Sequence, residues 1–303
     1  LVSAIKLQDV DALIMVLVVA IKNIDQEKVK TNFIIPILKE LTILKNSDWI
    51  KEIWFRPYRK KLFEVFDENE IEVVLDNLLW LNQIDHEGEE ILTLVAKKHP
   101  LKVVKFFGER LQKSKETEIF DAIPFQFQEL HKIFSSHAVQ VIKEVRTWHE
   151  GDDGLYSYRG PRFLSLIFPD FPDEFENELL TIVVRGNEED IKFVLSILRN
   201  YEGQIFLHKV CREIVISLPK DHSLLNEVMI ILESTGVVSG EYGRALAYER
   251  KIKEIEYWLE DENSNVREFS KHYVEILNQQ AAQERERVDE EIALRKYEYG
   301  IVD

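Results

Sequence analysis

Residues 33–51 read FIIPILKELTILKNSDWIK, and this stretch decides the fold class. Its apolar residues recur at spacings of three and four, which is the period of one face of an α-helix. The stripe consists of Ile34, Ile37, Leu38 and Leu41. The polar turn Asn46-Ser47-Asp48 follows, and such residues cap the helix that begins after them. The stretch therefore predicts two helices joined by a short turn.

The same apolar spacing recurs from one end of the chain to the other. Comparable stripes begin at Ile71, Val104, Ile191, Leu207, Leu225 and Val266. The sequence has no comparable set of period-two strands, so we predict an all-α fold. One helix and turn about every 20 residues is typical of paired-helix solenoids, whose repeats run roughly 34–47 residues. Because no strict period is present, a compact multi-helix bundle stays open as the alternative.

Two of the polar turns carry a more specific pattern. Asn46-Ser47-Asp48 is followed by Trp49-Ile50-Lys51, and Asn263-Ser264-Asn265 is followed by Val266-Arg267. Both resemble HEAT repeats, in which a kinked first helix precedes a polar turn, a β-branched residue and a base. The resemblance implies an α-solenoid of paired antiparallel helices, in which the base pairs across neighbouring repeats.

Composition and charge exclude several classes of protein. The chain has 303 residues, 45% of them hydrophobic, and a net charge of −16, which disfavours nucleic-acid or anionic-membrane binding over the whole surface. The single cysteine, Cys211, excludes a disulfide framework and fits a reducing compartment, so we expect a cytoplasmic protein. The most apolar stretch, 12–21, is too short for a membrane span and predicts a buried helix.

The chain divides into four predicted segments. Residues 1–150 and 175–278 form the two parts of the solenoid, 151–174 form a break or insertion, and 279–303 form a charged helix that caps the array or projects from it. The break is rich in aromatic, glycine and proline residues, and long loops in compact domains are usually functional. Its candidate partner-binding residues are Tyr156, Tyr158, Arg159, Arg162 and Phe163. Packing of these aromatics as a wedge in the solenoid is the alternative.

A second candidate surface lies at residues 54–61, where aromatic and basic side chains alternate. Single-strand binders use such a mixture to stack bases and contact phosphates. Its members are Trp54, Arg56, Tyr58, Arg59, Lys60 and Lys61. A nucleic-acid-binding adaptor is therefore the alternative function, although a solvated ridge has the same composition and nucleic acid is not the expected partner.

The residues predict no catalytic centre, metal site or cofactor. His86 begins a run that starts like a zincin motif, but the second histidine is missing at position 90. His208 and Cys211 stand three apart on a predicted helix, yet Cys211 continues an apolar stripe and is expected in the core. We therefore do not expect this segment to be an enzyme.

Several runs resemble the C-terminal helical-repeat regions of large bacterial anti-phage defence proteins. They are 121–125 (DAIPF), 207–215 (LHKVCREIV), 235–243 (TGVVSGEYG), 247–248 (AY), 258–259 (WL) and 294–300 (LRKYEYG). Such proteins carry a STAND-type signalling NTPase or a sirtuin-type NADase upstream. The resemblance implies a sensor region that binds an invader protein, such as a phage protein, and controls the upstream effector of the same chain. The chain begins Leu1-Val2-Ser3 without an initiator methionine, so we expect part of a longer protein, which can oligomerise as a whole.

Overall fold

A computed structural model of the protein describes residues 2–26, 28–53, 56–116, 122–149 and 155–299. The regular elements in these ranges are all helical, so the all-α prediction is confirmed. The chain divides into two compact units, Leu1–Phe175 and Glu176–Asp303. The division falls in the first turn of one helix, next to the predicted start of the C-terminal part at 175. The solenoid arrangement stays a prediction.

The first unit is built from short helices joined by polar turns. They are α1 (Val2–Leu7), α2 (Val10–Lys22), a π turn (Lys30–Ile34) that leads into α3 (Ile35–Ile43), α4 (Trp49–Glu52), α5 (Arg56–Val65), α6 (Glu68–Leu78), α7 (His86–Ala96), α8 (Pro100–Glu116), α9 (Leu130–Phe134), a 3₁₀ turn (Ser135–His137), α10 (Ala138–His149), α11 (Leu155–Ile167) and the start of α12 (Asp173–Arg185). The predicted helix at 12–21 lies within α2.

The second unit continues with α12 and ends in a long helix. Its other elements are α13 (Glu188–Leu198), 3₁₀ turns (Arg199–Tyr201 and Ile205–Leu207), α14 (His208–Ser217), α15 (Leu224–Glu233), α16 (Gly243–Ile255), a 3₁₀ turn (Glu256–Glu260) and α17 (Ser264–Glu298). The predicted boundary at 279 is wrong, because α17 runs through it and packs against α16. Its buried side chains extend to Val288, so the apolar contacts that begin in the repeat continue into the charged segment.

The predicted break at 151–174 is also wrong over residues 155–167, which form α11. Pro161 lies inside this helix and removes one backbone hydrogen bond. Three apolar side chains outweigh this cost, because they are fully buried on one face of the helix: Phe163, Leu164 and Ile167. Gly160 lets α10 come close, since a Cβ at this position would lie 3.1 Å from Cγ1 of Val145.

The two turns that resemble HEAT repeats bind their basic residues locally. Lys51 forms an ion pair with Asp48 at 2.8 Å. Arg267 donates to the backbone oxygens of Asp261 and Glu262, at 2.5 and 2.9 Å. Each base therefore closes its own turn, which differs from the pairing across repeats that the resemblance implies.

Candidate partner-binding surface

Helix α11 divides the predicted partner-binding residues between the core and the surface. Phe163 is fully buried, and its ring centre lies 4.9 Å from that of Phe107 and 5.6 Å from that of Trp148. The prediction that Phe163 contacts a partner is therefore wrong, because it belongs to the apolar stripe of the helix. Arg159 is half-buried and donates to the hydroxyl of Ser114 at 3.2 Å, so it ties α11 to the end of α8.

Tyr158 and Arg162 lie on the outer face of the same helix. Tyr158 is 66% exposed, and Arg162 follows it by four residues, so the two side chains are neighbours on one face. The side chain of Tyr156 lies outside the described residues. The guanidinium carbon of Arg162 lies 6.0 Å from the ring centre of Phe125, which is within reach of a cation–π interaction.

We call the surface that carries Phe125, Tyr158 and Arg162 the aromatic patch; the two aromatic side chains are exposed and Arg162 is half-buried. Phe125 is 85% exposed, which is unusual for a phenylalanine in a chain that buries most of its other described ones. Tyrosine and arginine are the residue types most enriched, with tryptophan, at the energetic centres of protein interfaces. A cation beside two aromatic rings suits a partner that offers both apolar contact and hydrogen-bond acceptors.

The loop that carries Phe125 is held by a buried carboxylate. Glu89 of α7 accepts hydrogen bonds through Oε1 from three consecutive backbone N–H groups, of Gln128 and Glu129 at 2.7 Å and of Leu130 at 3.2 Å. These groups open α9, where a helix has unsatisfied donors and a partial positive charge. A carboxylate from another helix thus takes the place of a local N-cap residue.

A buried cation holds the other end of the loop. Arg110 of α8 is fully buried and donates from Nε to the backbone oxygen of Ala122 at 3.0 Å. Its other nitrogens lie 3.3–3.4 Å from the backbone oxygens of Leu78, Leu79 and Asn82, at and just after the end of α6. Carbonyl groups at a helix C-terminus attract a cation, so Arg110 joins α6, α8 and the loop.

Phe127 fixes the middle of the same loop. It is buried, and its ring centre lies 5.3 Å from that of Phe107 and 6.1 Å from that of Phe163. The loop is therefore anchored at Ala122, at Phe127 and at the start of α9. Phe125 lies between these anchors, so its exposure is fixed by the fold around it.

The sequence did not reveal the two buried charges. Glu89 belongs to the run HEGEE, which starts like a zincin motif but lacks its second histidine, and Arg110 lies in an ordinary helical pattern. Each side chain binds backbone groups, and the nearest of these lie 39 residues from Glu89 and 12 from Arg110. Residue type carries no signal for such contacts, because any backbone N–H or carbonyl can make them.

The basic and aromatic cluster at 54–61 does not present the predicted set of cations. Arg59 is buried, donates from Nε to the backbone oxygen of Ile53 at 2.5 Å and pairs with Glu90. Its assignment to a nucleic-acid surface is therefore wrong. Both lysines of the cluster form ion pairs, Lys60 with Glu64 at 3.7 Å and Lys61 with Asp25. Tyr58 is half-buried, and Trp54 and the side chain of Arg56 lie outside the described residues.

His208 and Cys211 lie in the core of the second unit, as the apolar stripe predicts for Cys211. Cys211 is fully buried, and burial raises the pKa of its thiol to about 12. Burial also lowers the pKa of His208, which lies beside the rings of Tyr257 and Trp258. A neutral thiol and a neutral imidazole in an apolar environment are typical of packing residues.

The described ranges contain no group of three or more histidine, cysteine, aspartate or glutamate side chains that could hold a metal ion. Nor does any helix in them combine the length and apolar character needed to cross a bilayer.

Comparison of the chain with known proteins identifies no relative. No protein-family profile matches the chain, and no curated protein or solved structure is significantly similar to it. The geometry of the aromatic patch is therefore the basis for a functional proposal.

Proposed function

We propose that this chain is a non-catalytic protein-recognition scaffold that binds a partner protein through the aromatic patch. The observation that carries the proposal is the position of Phe125, which is exposed on a loop anchored by Glu89 and Arg110. Burying a charged side chain is costly unless it is fully paired. Glu89 and Arg110 are both buried, and the backbone groups of this loop are among their hydrogen-bond partners, so the conformation of the loop is strongly constrained.

Anchoring of the loop matters for affinity. A flexible loop loses conformational entropy when a partner orders it, whereas a loop already held in one conformation does not. The aromatic rings of Phe125 and Tyr158 also have few rotatable bonds for the area they bury. The patch therefore combines large contact area with a low ordering cost.

The finer proposal is a sensor region in a bacterial anti-phage defence protein, acting in the cytoplasm. It is supported by the resemblance of runs such as 207–215 and 235–243 to the repeat regions of such proteins. The invader protein binds the patch and favours one arrangement of the scaffold over another, and that preference is passed to an upstream effector of the same protein. Only a difference in affinity between the two arrangements can drive this response.

The experiment is a recovery of partners with and without infection. The full-length protein that contains this chain is purified from infected and uninfected bacteria under identical conditions, and bound proteins are identified by mass spectrometry. Binding of the purified partner is then titrated against the wild type, Phe125→Ala and Tyr158→Ala. Each substitution is expected to weaken binding about 30-fold, the equivalent of about 2 kcal/mol at an interface hot spot.

The matched control is Tyr297→Ala, which removes an exposed tyrosine from the end of α17. It is expected to leave the affinity unchanged. Equal affinities for the wild type and both patch variants would overturn the patch as the binding site. A partner recovered equally from uninfected cells would overturn the sensor role and leave the scaffold role standing.

A further inference from the structure

Helix α2 has apolar residues on nearly its whole circumference but is covered on one side only. Leu13, Leu17 and Ile21 are fully buried against the first unit, whereas Met15 is 71% exposed and Val19 is 60% exposed. A helix that is apolar all round is normally covered on every side. Exposed apolar surface that forms a continuous strip marks an interaction site.

The exposed flank of α2 forms one wall of a groove of about 490 Å³. This wall carries Val10, Ile14, Met15, Val18 and Val19. The opposite wall is polar, and it is formed by the turn that contains Asn46 and Asp48 and by Glu52 at the end of α4. The groove is therefore apolar along one side and polar along the other.

The charged side chains that line the groove are all acidic. They are Asp11 on the first turn of α2, Asp48 and Glu52. Lys51 pairs with Asp48 at 2.8 Å and lowers the pKa of its carboxyl group, so Asp48 is ionised at neutral pH. One lysine against three carboxylates leaves the rim with a negative charge.

We propose that this groove binds an amphipathic helix of a partner protein, one whose apolar stripe is flanked by lysine and arginine residues. The apolar stripe packs on Met15 and Val19, and the basic residues face the acidic rim. Helix α2 has 13 residues and is about 20 Å long, so a partner helix of three to four turns matches it. Apolar residues spaced i, i+3, i+4 and i+7 anchor helices in grooves of this kind.

Charge argues against a second copy of this chain as the occupant. The chain carries a net charge of −16, and a symmetric contact between two copies would bring two acidic rims together. Like charges across an interface lower affinity, whereas a basic helix gains attraction and a faster association rate.

The test measures binding of two fluorescent peptides to the full chain by anisotropy. Both are 18-residue helices with leucine at the i, i+3, i+4 and i+7 positions, and they carry either lysine or glutamate at the remaining exposed positions. The wild type is expected to bind the lysine peptide at least tenfold more tightly than the glutamate peptide. Raising the salt concentration is expected to reduce this preference.

Two double variants separate the apolar and charged contributions. Met15→Gln with Val19→Gln is expected to weaken binding of the lysine peptide about tenfold and to keep its salt dependence. Asp11→Lys with Glu52→Lys is expected to weaken it by a similar factor or more and to reverse the salt dependence, because the rim then carries three lysines against one carboxylate. The positions are at the surface, and unchanged circular dichroism and thermal unfolding will confirm folding. Controls are Val184→Gln, an exposed valine on α12, and Glu286→Lys with Glu290→Lys on α17.

Three results would overturn the proposal. The first is equal binding of the lysine and glutamate peptides by the wild type. The second is an affinity that the groove variants change no more than the controls do. The third is a wild-type dimer in sedimentation experiments that Met15→Gln with Val19→Gln converts to a monomer, which would make a second copy the occupant.

Discussion

Trp49 donates its indole N–H to the side-chain oxygen of Asn77 at 2.6 Å, and both side chains are fully buried. The amide of Asn77 donates in turn to the backbone oxygen of Asn46 at 2.9 Å and to the hydroxyl of Thr42 at 3.2 Å. Ser47 donates to the backbone oxygen of Asn77 at 2.6 Å. One asparagine on α6 therefore holds the whole polar turn between α3 and α4.

Asn77→Ala is expected to destabilise the first unit by about 2–4 kcal/mol, since it leaves the buried indole N–H and a backbone carbonyl without partners and opens a cavity. The measurement is urea unfolding followed by tryptophan fluorescence. Asn69→Ala, an exposed position on the same helix, is expected to change stability by less than about 0.5 kcal/mol. Equal effects of the two substitutions would contradict the role of Asn77.

The polar turn at 46–48 was predictable from the sequence, but its partner was not. Asn77 lies between Leu75 and Leu78, within a stripe whose spacing predicts a helix, and a polar residue there reads as a surface position. Its burial follows from how α6 packs against α3. Spacing along one helix determines which residues share a face, and it does not determine which other turn that face meets.

Glu89→Ala is expected to loosen the loop that carries Phe125. The backbone N–H groups of Gln128, Glu129 and Leu130 lose their shared acceptor, so their hydrogen exchange is expected to speed up at least tenfold. Exchange at the core of α8 is expected to change much less, because Phe107 and Leu111 keep their contacts. Mass spectrometry or NMR of the native protein measures both.

The control for this experiment is Glu87→Ala, which removes a half-buried carboxylate two residues earlier on α7. It is expected to leave exchange at 128–130 unchanged. Unaltered exchange there in Glu89→Ala would mean that Phe127 and Arg110 hold the loop without the carboxylate.

Cys211 is expected to resist thiol reagents in the native protein. Burial raises its pKa to about 12, so at pH 8 only about one thiol in 10⁴ is ionised, and the reactive species is the thiolate. Labelling with a disulfide reagent is expected to be at least about 1000-fold slower than in urea, where the pKa is about 8.5. Cys211→Ala with Ser217→Cys moves the thiol to an exposed position on α14 and is expected to react at the unfolded rate.

Arg212 and Asp261 are expected to give the second unit a pH-dependent contribution. Arg212 donates two hydrogen bonds to the carboxylate, at 2.6 and 2.9 Å, and these lower the pKa of Asp261. The ionised form is therefore favoured in the folded state. The stabilisation is present above the unfolded pKa of about 3.9 and is lost as the pH falls through the lower folded pKa.

Arg212→Met is accordingly expected to cost about 1–3 kcal/mol at pH 7 and progressively less below about pH 4. Urea unfolding at a series of pH values measures the difference from the wild type. Lys220→Met breaks an exposed pair with Glu268 and is expected to cost less than about 1 kcal/mol at pH 7. A cost for Arg212→Met that is constant down to pH 2 would show that the ion pair is not its source.

The candidate surface was predictable only in part. The aromatic and basic composition of 151–174 predicts Tyr158 and Arg162 as binding residues, and these are the two members of the patch on α11. Because Gly160 and Pro161 indicate a loop, the sequence could not show that Phe163 lies on the opposite, buried face of a helix. The burial of Arg59 could not be predicted for a related reason, since its place in a cationic run does not indicate the ion pair with Glu90.

The separation of about 40 residues between Glu89 and the N–H groups it binds also has a kinetic consequence. Closing a loop of this length has an entropic cost, which is offset when α7 and α8 pack together. The loop is therefore expected to reach its native conformation late in folding. During synthesis, the N-terminal helices are complete before residue 125 leaves the ribosome. The aromatic patch is therefore expected to be among the last parts of the first unit to form, and a partly folded chain does not yet hold Phe125 in its exposed position.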